Sequence, residues 1–278
     1  MNKKELRRVL GRDEYNSLAT LISNLSKERI LLTGAEGSLG TRLVERLSKE
    51  NVKFLATDIL GEHEYLDNTD FKNVFSVVNK YRPTIIVNIA GAKHAPLGEK
   101  ETWKTLSVNT LGTKNLIDCA PPNCKVILLS TCKANNAEVV YGASKLIAER
   151  MTLNAGGSIV RCFNVVETSG NVFEIWNDVP EDIPIKVVEA CSRYFISLDE
   201  AVGLIIYTMN APQGRYIVNS TELRKMGDVA KDLYPDRKKI VINPRLGDRI
   251  DEKFMSTSET IESHHLDSSV VKIKSIHD

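Results

Sequence analysis

The stretch Arg29 to Val44, RILLTGAEGSLGTRLV, decides the fold of this chain. Its apolar beginning predicts a buried β-strand that runs straight into three glycines, Gly34, Gly37 and Gly40. A helix is predicted next, because apolar residues recur there at helical spacing. Glycines at a strand-to-helix turn let the backbone approach a pyrophosphate, whose charge then lies at the helix amino terminus. Plain turns also contain glycines, but a place between a strand and a helix favours a dinucleotide site.

The next predicted strand, Val52 to Thr57, ends at Asp58. A carboxylate about 20 residues beyond the glycines is placed to bind the ribose hydroxyls of an adenosine. The same negative charge repels a 2′-phosphate. The spacing therefore favours NAD over NADP, and the alternative is a surface aspartate that follows an ordinary glycine turn.

Predicted strands and helices then alternate as far as residue 164. Helices are expected over Asp70–Tyr81, through Trp103–Leu116 and around Tyr141, and strands over Thr84–Asn88, Lys125–Leu129 and Gly157–Cys162. This alternation predicts an α/β fold, a doubly wound parallel sheet of the Rossmann type. Ligands of such sheets lie at the carboxyl ends of the strands. The pattern brings Gly34, Asp58, Gly91, Thr131 and Asn164 to that edge.

A second informative stretch, STCKANNAEVVYGASK, runs from Ser130 to Lys145 and follows a predicted strand. Tyr141 and Lys145 are four residues apart, so on a helix they share one face. A nearby ammonium favours the phenolate, which lowers a tyrosine pKa from its usual value near ~10 and suits the residue to act as a base. The Thr131 hydroxyl could share the substrate oxygen whose proton is moved. The alternative is a surface tyrosine and lysine on an ordinary amphipathic helix.

The composition argues against several classes of protein. Of 278 residues, 42% are hydrophobic and 26% charged, with a formal net charge of +1, so neither nucleic acid nor an anionic membrane is expected as a bulk partner. No apolar run is long enough to predict a membrane span. The five scattered cysteines contain no C-x-x-C pair, which argues against zinc and favours a reducing, cytoplasmic environment. The adjacent His264 and His265 do not share a helix face, so no metal site is predicted.

Three regions are predicted along the chain. Residues 1–27 form an amphipathic helical segment, divided at Gly11, that caps the main domain or a partner subunit; an interfacial membrane helix is the alternative. Residues 28–164 form the NAD-binding domain. Residues 165–278 form mainly a smaller substrate-binding lobe, with some elements that return to the main sheet. The polar stretch Met255–Asp278 is predicted to be a solvated tail.

Several longer strings resemble one known family. The strings are TGAEGSLG, AGAKHAPLGE, SVNTLGTKN, STCK, YGASK, SRYFISLDEAV and RLGDRIDE, and the likeness extends from about Val9 to Glu252. Together they resemble the extended short-chain dehydrogenases/reductases, in the polysaccharide-biosynthesis branch that includes UDP-N-acetylglucosamine 4,6-dehydratases. The lysine-histidine string and the SRYF string are far more specific to this branch than the glycines are.

The resemblance implies a role for each matching residue. Thr131, Cys132, Lys133, Tyr141 and Lys145 would form the catalytic set. Tyr141 would remove the proton from the carbon 4 hydroxyl of the sugar while a hydride passes to NAD. Lys145 would hold the nicotinamide ribose and lower the Tyr141 pKa. Cofactor contacts are implied, beside Tyr141 and Lys145, for Gly34, Glu36, Gly37, Ser38, Leu39, Gly40, Asp58, Asp67 near the adenine, Ala90, Gly91 and Ala92.

Substrate contacts are implied for Lys93, His94, Asn164, Arg193 and Arg245. The two arginines suit a diphosphate, because a guanidinium binds two phosphate oxygens at once. Judged from residue type alone, all five are ordinary surface or loop residues. The resemblance also implies a homodimer or a larger homo-oligomer.

The chain departs from the resembling dehydratases at one catalytic position, where their Asp-Lys pair is Cys132-Lys133. After oxidation at carbon 4, a base takes the proton on carbon 5 and an acid helps the carbon 6 hydroxyl to leave. The Cys132 thiol either donates that proton or is inert packing. Retention of Lys133 favours proton abstraction at carbon 5.

Three enzymatic outcomes follow from this departure. The expected function is a nucleotide-sugar 4,6-dehydratase for UDP-N-acetylglucosamine or a close relative, in cell-surface polysaccharide, glycan or sugar-antibiotic biosynthesis. Loss of the aspartate counts towards the other two, a 5,6-dehydratase that gives an unsaturated sugar and a UDP-sugar 4-epimerase. A non-catalytic nucleotide-binding protein is disfavoured, because the threonine, tyrosine and lysines of the site are all present.

Overall fold

The structure, a computed structural model, describes residues 1–15, 25–50, 52–93, 95–219, 222–245, 248–253, 255–265 and 269–278. Its strands are β1 (Ile30–Thr33), β2 (Phe54–Asp58), β3 (Glu64–Tyr65), β4 (Ile85–Asn88), β5 (Lys125–Thr131), β6 (Ser158–Cys162), β7 (Asn164–Val165), β8 (Ile185–Val187), β9 (Ser192–Arg193), β10 (Phe195–Ile196), β11 (Arg215–Val218), β12 (Arg224–Lys225), β13 (Lys239–Val241), β14 (Glu259–His265) and β15 (Val270–Ser275). Its helices are α1 (Lys3–Leu10), α2 (Ser38–Lys49), α3 (Phe71–Tyr81), α4 (Ala95–Lys100), α5 (Thr102–Leu106), α6 (Gly112–Cys119), α7 (Val140–Asn154), α8 (Val172–Asp178), α9 (Leu198–Asn210) and α10 (Met226–Leu233).

The central sheet has nine strands in the order β14-β15-β11-β6-β5-β4-β1-β2-β3. All neighbours from β3 to β11 are parallel, whereas β15 and β14 are antiparallel to the strands beside them. β1 is buried along its whole length, as a parallel strand covered on both faces should be. The predicted fold class, a doubly wound parallel sheet, is therefore confirmed.

Helices cover both faces of this sheet. α2 and α9 close the larger core, which contains Leu43 and Leu204, and α3 and α6 close a second one, which contains Val74 and Leu116. Among the described residues, no helix has the length and apolar character that crossing a membrane requires. Because β1, β2, β4, β5 and β6 all run parallel, their carboxyl ends lie along one edge of the sheet.

A separate hydrophobic core is formed by α1, α8, β8, β10 and α10, and this part of the molecule is called the smaller lobe. Trp176 of α8, Phe195 of β10 and Val229 of α10 pack there against Leu6 and Leu10 of α1. α1 therefore packs on the smaller lobe rather than on the main domain. It ends at Leu10, and Gly11, where the sequence predicted a division of the helical segment, caps it with a φ of 72°. The rest of the predicted helical segment lies largely outside the described residues, which omit 16–24.

The prediction that Met255–Asp278 is a solvated tail is wrong. β14 and β15 extend the central sheet, and Val271 and Ile273 are buried against β11. The physical reason is visible in the strand itself, where apolar and lysine residues alternate with the period of two that a half-buried strand requires. The backbone of His264 and His265 belongs to β14.

The predicted helix through Trp103–Leu116 is interrupted. α5 passes into a π-helical segment, Ser107–Leu111, before α6 begins at Gly112. Such segments are rare and occur often at functional sites. Asn109 lies in this one and is fully buried.

Candidate active site

The glycine loop connects β1 to the amino terminus of α2. Gly34 has a φ of 75°, and a β-carbon there would lie 2.6 Å from the amide nitrogen of Ala90. Gly40 is packed as tightly, because a β-carbon there would lie 2.7 Å from Cα of Ala35. Within the described chain, no side chain caps α2 and no acidic residue lies in its first turn. The loop therefore offers amide groups and the positive end of a helix dipole to a pyrophosphate, so a dinucleotide fits here.

Gly40→Ala is expected to lower the free energy of unfolding by about 2 kcal/mol, because its methyl group would meet backbone that cannot move aside without distorting the glycine loop. Gly98→Ala is the matched control, since Gly98 is also helical and its β-carbon would come no closer than 3.4 Å to another residue. Urea denaturation of both variants measures the difference. Equal stabilities of the two variants would contradict the tight packing at Gly40.

Three other residues near this turn were predicted to contact the cofactor, Glu36 in the loop and Ser38 and Leu39 at the start of α2, and each has different neighbours. The Glu36 carboxylate accepts a hydrogen bond from the Glu62 amide at 3.3 Å. The Ser38 hydroxyl accepts one from the Ser169 amide at 3.1 Å, and Leu39 packs against the core. Ser38 and Ser169 therefore join the glycine loop to the loop that follows β7.

The residues predicted to bind the adenosine lie at the end of β2 and beyond β3. The Asp58 carboxylate accepts hydrogen bonds from the amides of Glu36 at 3.0 Å and Ile59 at 2.7 Å. The Asp67 carboxylate accepts them from the amide of Thr69 at 2.8 Å and its hydroxyl at 2.7 Å. Asp58 thus lies beside the glycine loop, where a ribose-binding carboxylate is needed. Both cofactor contacts stay predictions.

The turn Ala90–Ala92 follows β4 and is held by Asn109. The side-chain oxygen of Asn109 accepts a hydrogen bond from the Ala92 amide at 2.9 Å, and its nitrogen donates to the Ala92 carbonyl at 3.1 Å. A β-carbon on Gly91 would lie 3.1 Å from Nζ of Lys145. Lys145 therefore lies next to the turn predicted for the nicotinamide. Asn109 had no role in the sequence prediction, although the string SVNTLGTKN contains it.

Tyr141 and Lys145 both lie on α7, but they have different surroundings. The Thr131 side chain acts to lower the pKa of Tyr141, and Lys133 is the cation that lowers it most. Burial outweighs both effects and leaves the pKa of Tyr141 raised. Lys145 donates to the Leu129 carbonyl at 2.9 Å, and burial lowers its pKa to about 8. The predicted net lowering of the Tyr141 pKa by Lys145 is therefore wrong, because burial dominates and Lys133 is the more effective cation.

Cys132 lies in the core rather than in the cleft. Its side chain is 1% exposed and packs in the largest hydrophobic cluster. Burial raises the pKa of the Cys132 thiol to about 12. A thiol of that pKa stays protonated at neutral pH and is a weak proton donor, which favours the packing alternative over the acid.

Glu252 had no role in the sequence prediction, although it closes the string RLGDRIDE. Its carboxylate lies 2.9 Å from Nζ of Lys133 and accepts a hydrogen bond from Nδ2 of Asn164 at 2.6 Å. Burial alone would raise the pKa of Glu252, but Lys133 and Arg193 reverse this and leave it lowered. Burial alone would lower the pKa of Lys133, but Glu252 reverses this and leaves it raised. The two side chains therefore form a buried ion pair at the end of β5.

Two of the predicted substrate-binding residues belong to this cluster. Oδ1 of Asn164 accepts a hydrogen bond from Nζ of Lys133 at 3.2 Å. The Arg193 guanidinium donates to the main-chain carbonyl of Arg249 at 2.6 Å and lies 3.6 Å from the Glu252 carboxylate. Both residues thus reach the catalytic end of β5, and their substrate contacts stay predictions.

Two of the other predicted substrate residues, Lys93 and Arg245, lie apart from the cluster. Nζ of Lys93 donates to the Ser169 carbonyl at 2.8 Å. Arg245 has a side chain that is 63% exposed and pairs with Asp248 at 3.2 Å. His94 lies outside the described residues. The structure therefore does not bring Lys93 or Arg245 to the catalytic cluster.

Comparison with known proteins places the chain in a family. The family model described as "Polysaccharide biosynthesis protein" matches residues 62–274, which is most of the chain. The capsular polysaccharide biosynthesis protein CapD of Staphylococcus aureus is 30% identical over 268 residues, which cover 84% of this chain and 45% of CapD. A UDP-N-acetylglucosamine 4,6-dehydratase (inverting) of Campylobacter jejuni is 26% identical over 266 residues, which cover 84% of this chain and 79% of that enzyme. The chain thus spans less than half the length of CapD.

Among solved structures, Pen from Bacillus thuringiensis superposes with a TM-score of 0.76 at 21% identity, covering 90% of this chain and 88% of Pen. At that identity the likeness supports the fold alone. The family match and the shared fold agree with the resemblance in the sequence strings. The chain therefore belongs to the polysaccharide biosynthesis protein family, a branch of the extended short-chain dehydrogenases/reductases.

Proposed function

We propose that this chain is an NAD-dependent nucleotide-sugar dehydratase, a lyase that acts on UDP-N-acetylglucosamine or a close relative. The reaction oxidises carbon 4, eliminates water across carbons 5 and 6 and returns the hydride to the sugar. Its product would serve the biosynthesis of a cell-surface polysaccharide, glycan or sugar antibiotic. Bound NAD would supply the acceptor, and later the donor, of that hydride.

One observation carries the proposal, the convergence of Thr131, Lys133 and Tyr141 at the end of β5, with Lys145 beside the turn that follows β4. Tyr141 would take the proton of the carbon 4 hydroxyl, and Thr131 would orient the same oxygen. Lys133 would exchange a proton with the sugar during elimination. The Campylobacter jejuni relative, whose name states the same reaction, supports this assignment.

The residues proposed to hold the cofactor fit a dinucleotide. The glycine loop would bind the pyrophosphate, Asp58 the adenosine ribose and Lys145 the nicotinamide ribose. Asp67 would lie near the adenine. NAD is favoured over NADP, because the Asp58 carboxylate would repel a 2′-phosphate.

A UDP-sugar 4-epimerase is the second candidate, and Cys132 is the observation that favours it. A buried thiol with a pKa of about 12 is a weak acid for elimination, whereas an epimerase needs no acid at this position. A 5,6-dehydratase shares the elimination step with the main proposal and differs in the carbon to which the hydride returns.

The proposal is tested by incubating the protein with NAD and UDP-N-acetylglucosamine and following the sugar by mass spectrometry. Loss of one water supports a dehydratase, and an NMR spectrum then separates a 4-keto-6-deoxy sugar from a 5,6-unsaturated one. An unchanged mass with a new isomer identifies an epimerase. Absence of turnover would overturn the enzymatic proposal in favour of a nucleotide-binding protein.

Cys132→Ala is expected to leave the elimination rate within about threefold of wild type, since a general acid contributes ~10²–10⁴-fold and this thiol is a weak one. Cys162→Ala is the matched control, because Cys162 is also buried and its pKa is also raised to about 12. Stopped-flow absorbance and mass analysis of the product measure the elimination rates of both variants. A hundredfold loss in Cys132→Ala alone would show that the thiol is the acid after all.

A cytoplasmic location and a homodimer or larger homo-oligomer are proposed together with the activity. Light scattering coupled to size-exclusion chromatography measures the assembly. A monomer at micromolar concentration would contradict the proposed oligomer and leave the proposed reaction unaffected.

A further inference from the structure

Glu252 is a carboxylate buried at the catalytic end of the sheet. It lies on the segment 248–253, which Arg249 fastens to the loop after β5 by donating to the carbonyl of Asn135 at 2.9 Å. Asn135 in turn donates from its side chain to the carbonyl of Lys253 at 2.9 Å. The segment is therefore fixed against the strand end from which Lys133 projects.

The partners of Glu252 keep it ionised. An isolated buried carboxylate would be costly, and burial is tolerated only where hydrogen bonds and opposite charge satisfy the group. Oε1 lies 2.9 Å from Nζ of Lys133 and 3.6 Å from Nε of Arg193. Oε2 accepts from Nδ2 of Asn164 at 2.6 Å and from the amide of Tyr194 at 3.4 Å. Each carboxylate oxygen is thus engaged, and the group is anionic.

Lys133 is the member of the pair that can reach a ligand. Its side chain is 18% exposed, whereas that of Glu252 is 1% exposed. Nζ is held on two sides, by the Glu252 carboxylate and by Oδ1 of Asn164 at 3.2 Å. These two acceptors, rather than the flexible side chain, fix the direction in which the third N–H bond of the Lys133 ammonium points. Glu252 can therefore affect a bound sugar only through the side chains that it contacts, and among these Lys133 is the one that can exchange a proton.

We propose that Glu252 is a positioning residue of the site, which fixes the Lys133 nitrogen at the cleft as an ion pair and so governs the proton that this lysine exchanges with the sugar. The part that concerns the sugar rests on the function proposed above, whereas the ion pair does not. Other titratable or charged groups act on this pair from the neighbouring elements, namely Cys132, Tyr141, Arg193, Tyr194 and Arg249. All of them remain in the variants tested.

The first experiment needs no substrate. Competitive acetylation across a range of pH, read by peptide mass spectrometry, gives the midpoint at which each lysine loses its proton. In wild type, Lys133 is expected to have a midpoint above the ordinary lysine value, near ~10.4, because the Glu252 carboxylate holds its pKa raised. Glu252→Gln is expected to lower the Lys133 midpoint by at least about one pH unit, because an adjacent opposite charge shifts a pKa by about 1–3 units.

Glu252→Asp is the conservative variant, which keeps the negative charge and should keep the midpoint close to that of wild type. The second experiment measures the pH dependence of water elimination from UDP-N-acetylglucosamine. The part of the pH–rate profile that reflects ionisation of Lys133 should move to lower pH in Glu252→Gln. In Glu252→Asp it should lie at its wild-type position. A merely structural role would change the rate without moving that limb.

Equal Lys133 midpoints in wild type and Glu252→Gln would overturn the inference, whatever the turnover. Should Glu252→Gln fail to fold, a wild-type Lys133 midpoint at or below the ordinary lysine value, near ~10.4, would by itself overturn the inference. A shifted midpoint without turnover by wild type would overturn the proposed dehydratase, and with it the catalytic part of the inference, while the ion pair would stand.

Discussion

Tyr141→Phe is expected to lower the rate of carbon 4 oxidation by about 10²–10⁴-fold, the usual contribution of a general base. The ring would keep its packing, and only the phenolic hydroxyl would be lost. Because the proton of the carbon 4 hydroxyl then has no acceptor, both oxidation and the later elimination should stop. Absorbance of the reduced nicotinamide in a single turnover measures the first step, and the mass of the sugar measures the second.

The same residue predicts how the reaction depends on pH. Burial raises the pKa of Tyr141, and the Lys133 ammonium only partly opposes this. The phenolate is therefore the minor form at neutral pH, so the oxidation rate of wild type should increase as the pH rises towards the pKa of the phenol. A rate that is flat over the alkaline range would contradict Tyr141 as the base.

Tyr234→Phe is the matched control for Tyr141→Phe. Its hydroxyl donates to Oδ1 of Asn177 at 2.5 Å in the smaller lobe, away from the catalytic cluster. The control should turn over at the wild-type rate. If Tyr141→Phe also stays within threefold of wild type while both proteins are folded, the proposed chemistry fails.

The central parallel strands β1, β4, β5 and β6 were predictable from sequence because they are covered on both faces. β1 and β4 are apolar except for their last residues, and the glycines between β1 and α2 mark the turn from strand to helix. The hairpin of β14 and β15 was missed because its inward residues alternate with Lys272 and Lys274, which make the stretch polar on average. A period of two is a weak signal over six residues, and only the position of β11 shows which face is covered.

The candidate site also has features that the sequence predicted and features that it did not. The spacing of Tyr141 and Lys145 predicted that they share one face of the helix expected there, because residues four apart are neighbours on a helix surface. Nothing local connects Lys133 to Glu252, since their contact depends on how the segment 248–253 crosses the end of β5. The sign of the Tyr141 pKa shift depends on burial, which a spacing does not contain. Contacts between distant segments and desolvation are therefore what the sequence could not supply.

A buried charge network joins the catalytic helix to that missed hairpin. Glu149 of α7 is fully buried, and its carboxylate lies 2.7 Å from Arg161 and 3.1 Å from Arg215. Ser130, at the end of β5, donates to it at 2.5 Å. Arg161 also pairs with Glu259 of β14 at 2.8 Å. The network thus ties the helix of Tyr141 to four strands of the sheet, β5, β6, β11 and β14.

Glu149→Gln is expected to lower the free energy of unfolding by about 3–5 kcal/mol at neutral pH, because removing one partner leaves buried arginine charge uncompensated. Asp118→Asn is the matched control. Asp118 pairs with Lys114 at 2.5 Å but is 39% exposed, so its loss should cost less than about 1 kcal/mol. Urea denaturation of both variants measures the two effects, and equal losses would contradict the burial argument.

The effect of Glu149→Gln should also depend on pH, and its sign follows from linkage. Burial alone would raise the pKa of Glu149, but Arg161 and Arg215 reverse this, so the folded pKa lies below that of the unfolded chain. The ionised carboxylate therefore stabilises the fold above the unfolded value, near ~4.3, and this contribution is lost as the pH falls through the folded pKa. The stability gap between wild type and Glu149→Gln should accordingly narrow in acid. A gap that stays constant down to the lowest pH at which both proteins fold would mean that packing, rather than charge, makes Glu149 necessary.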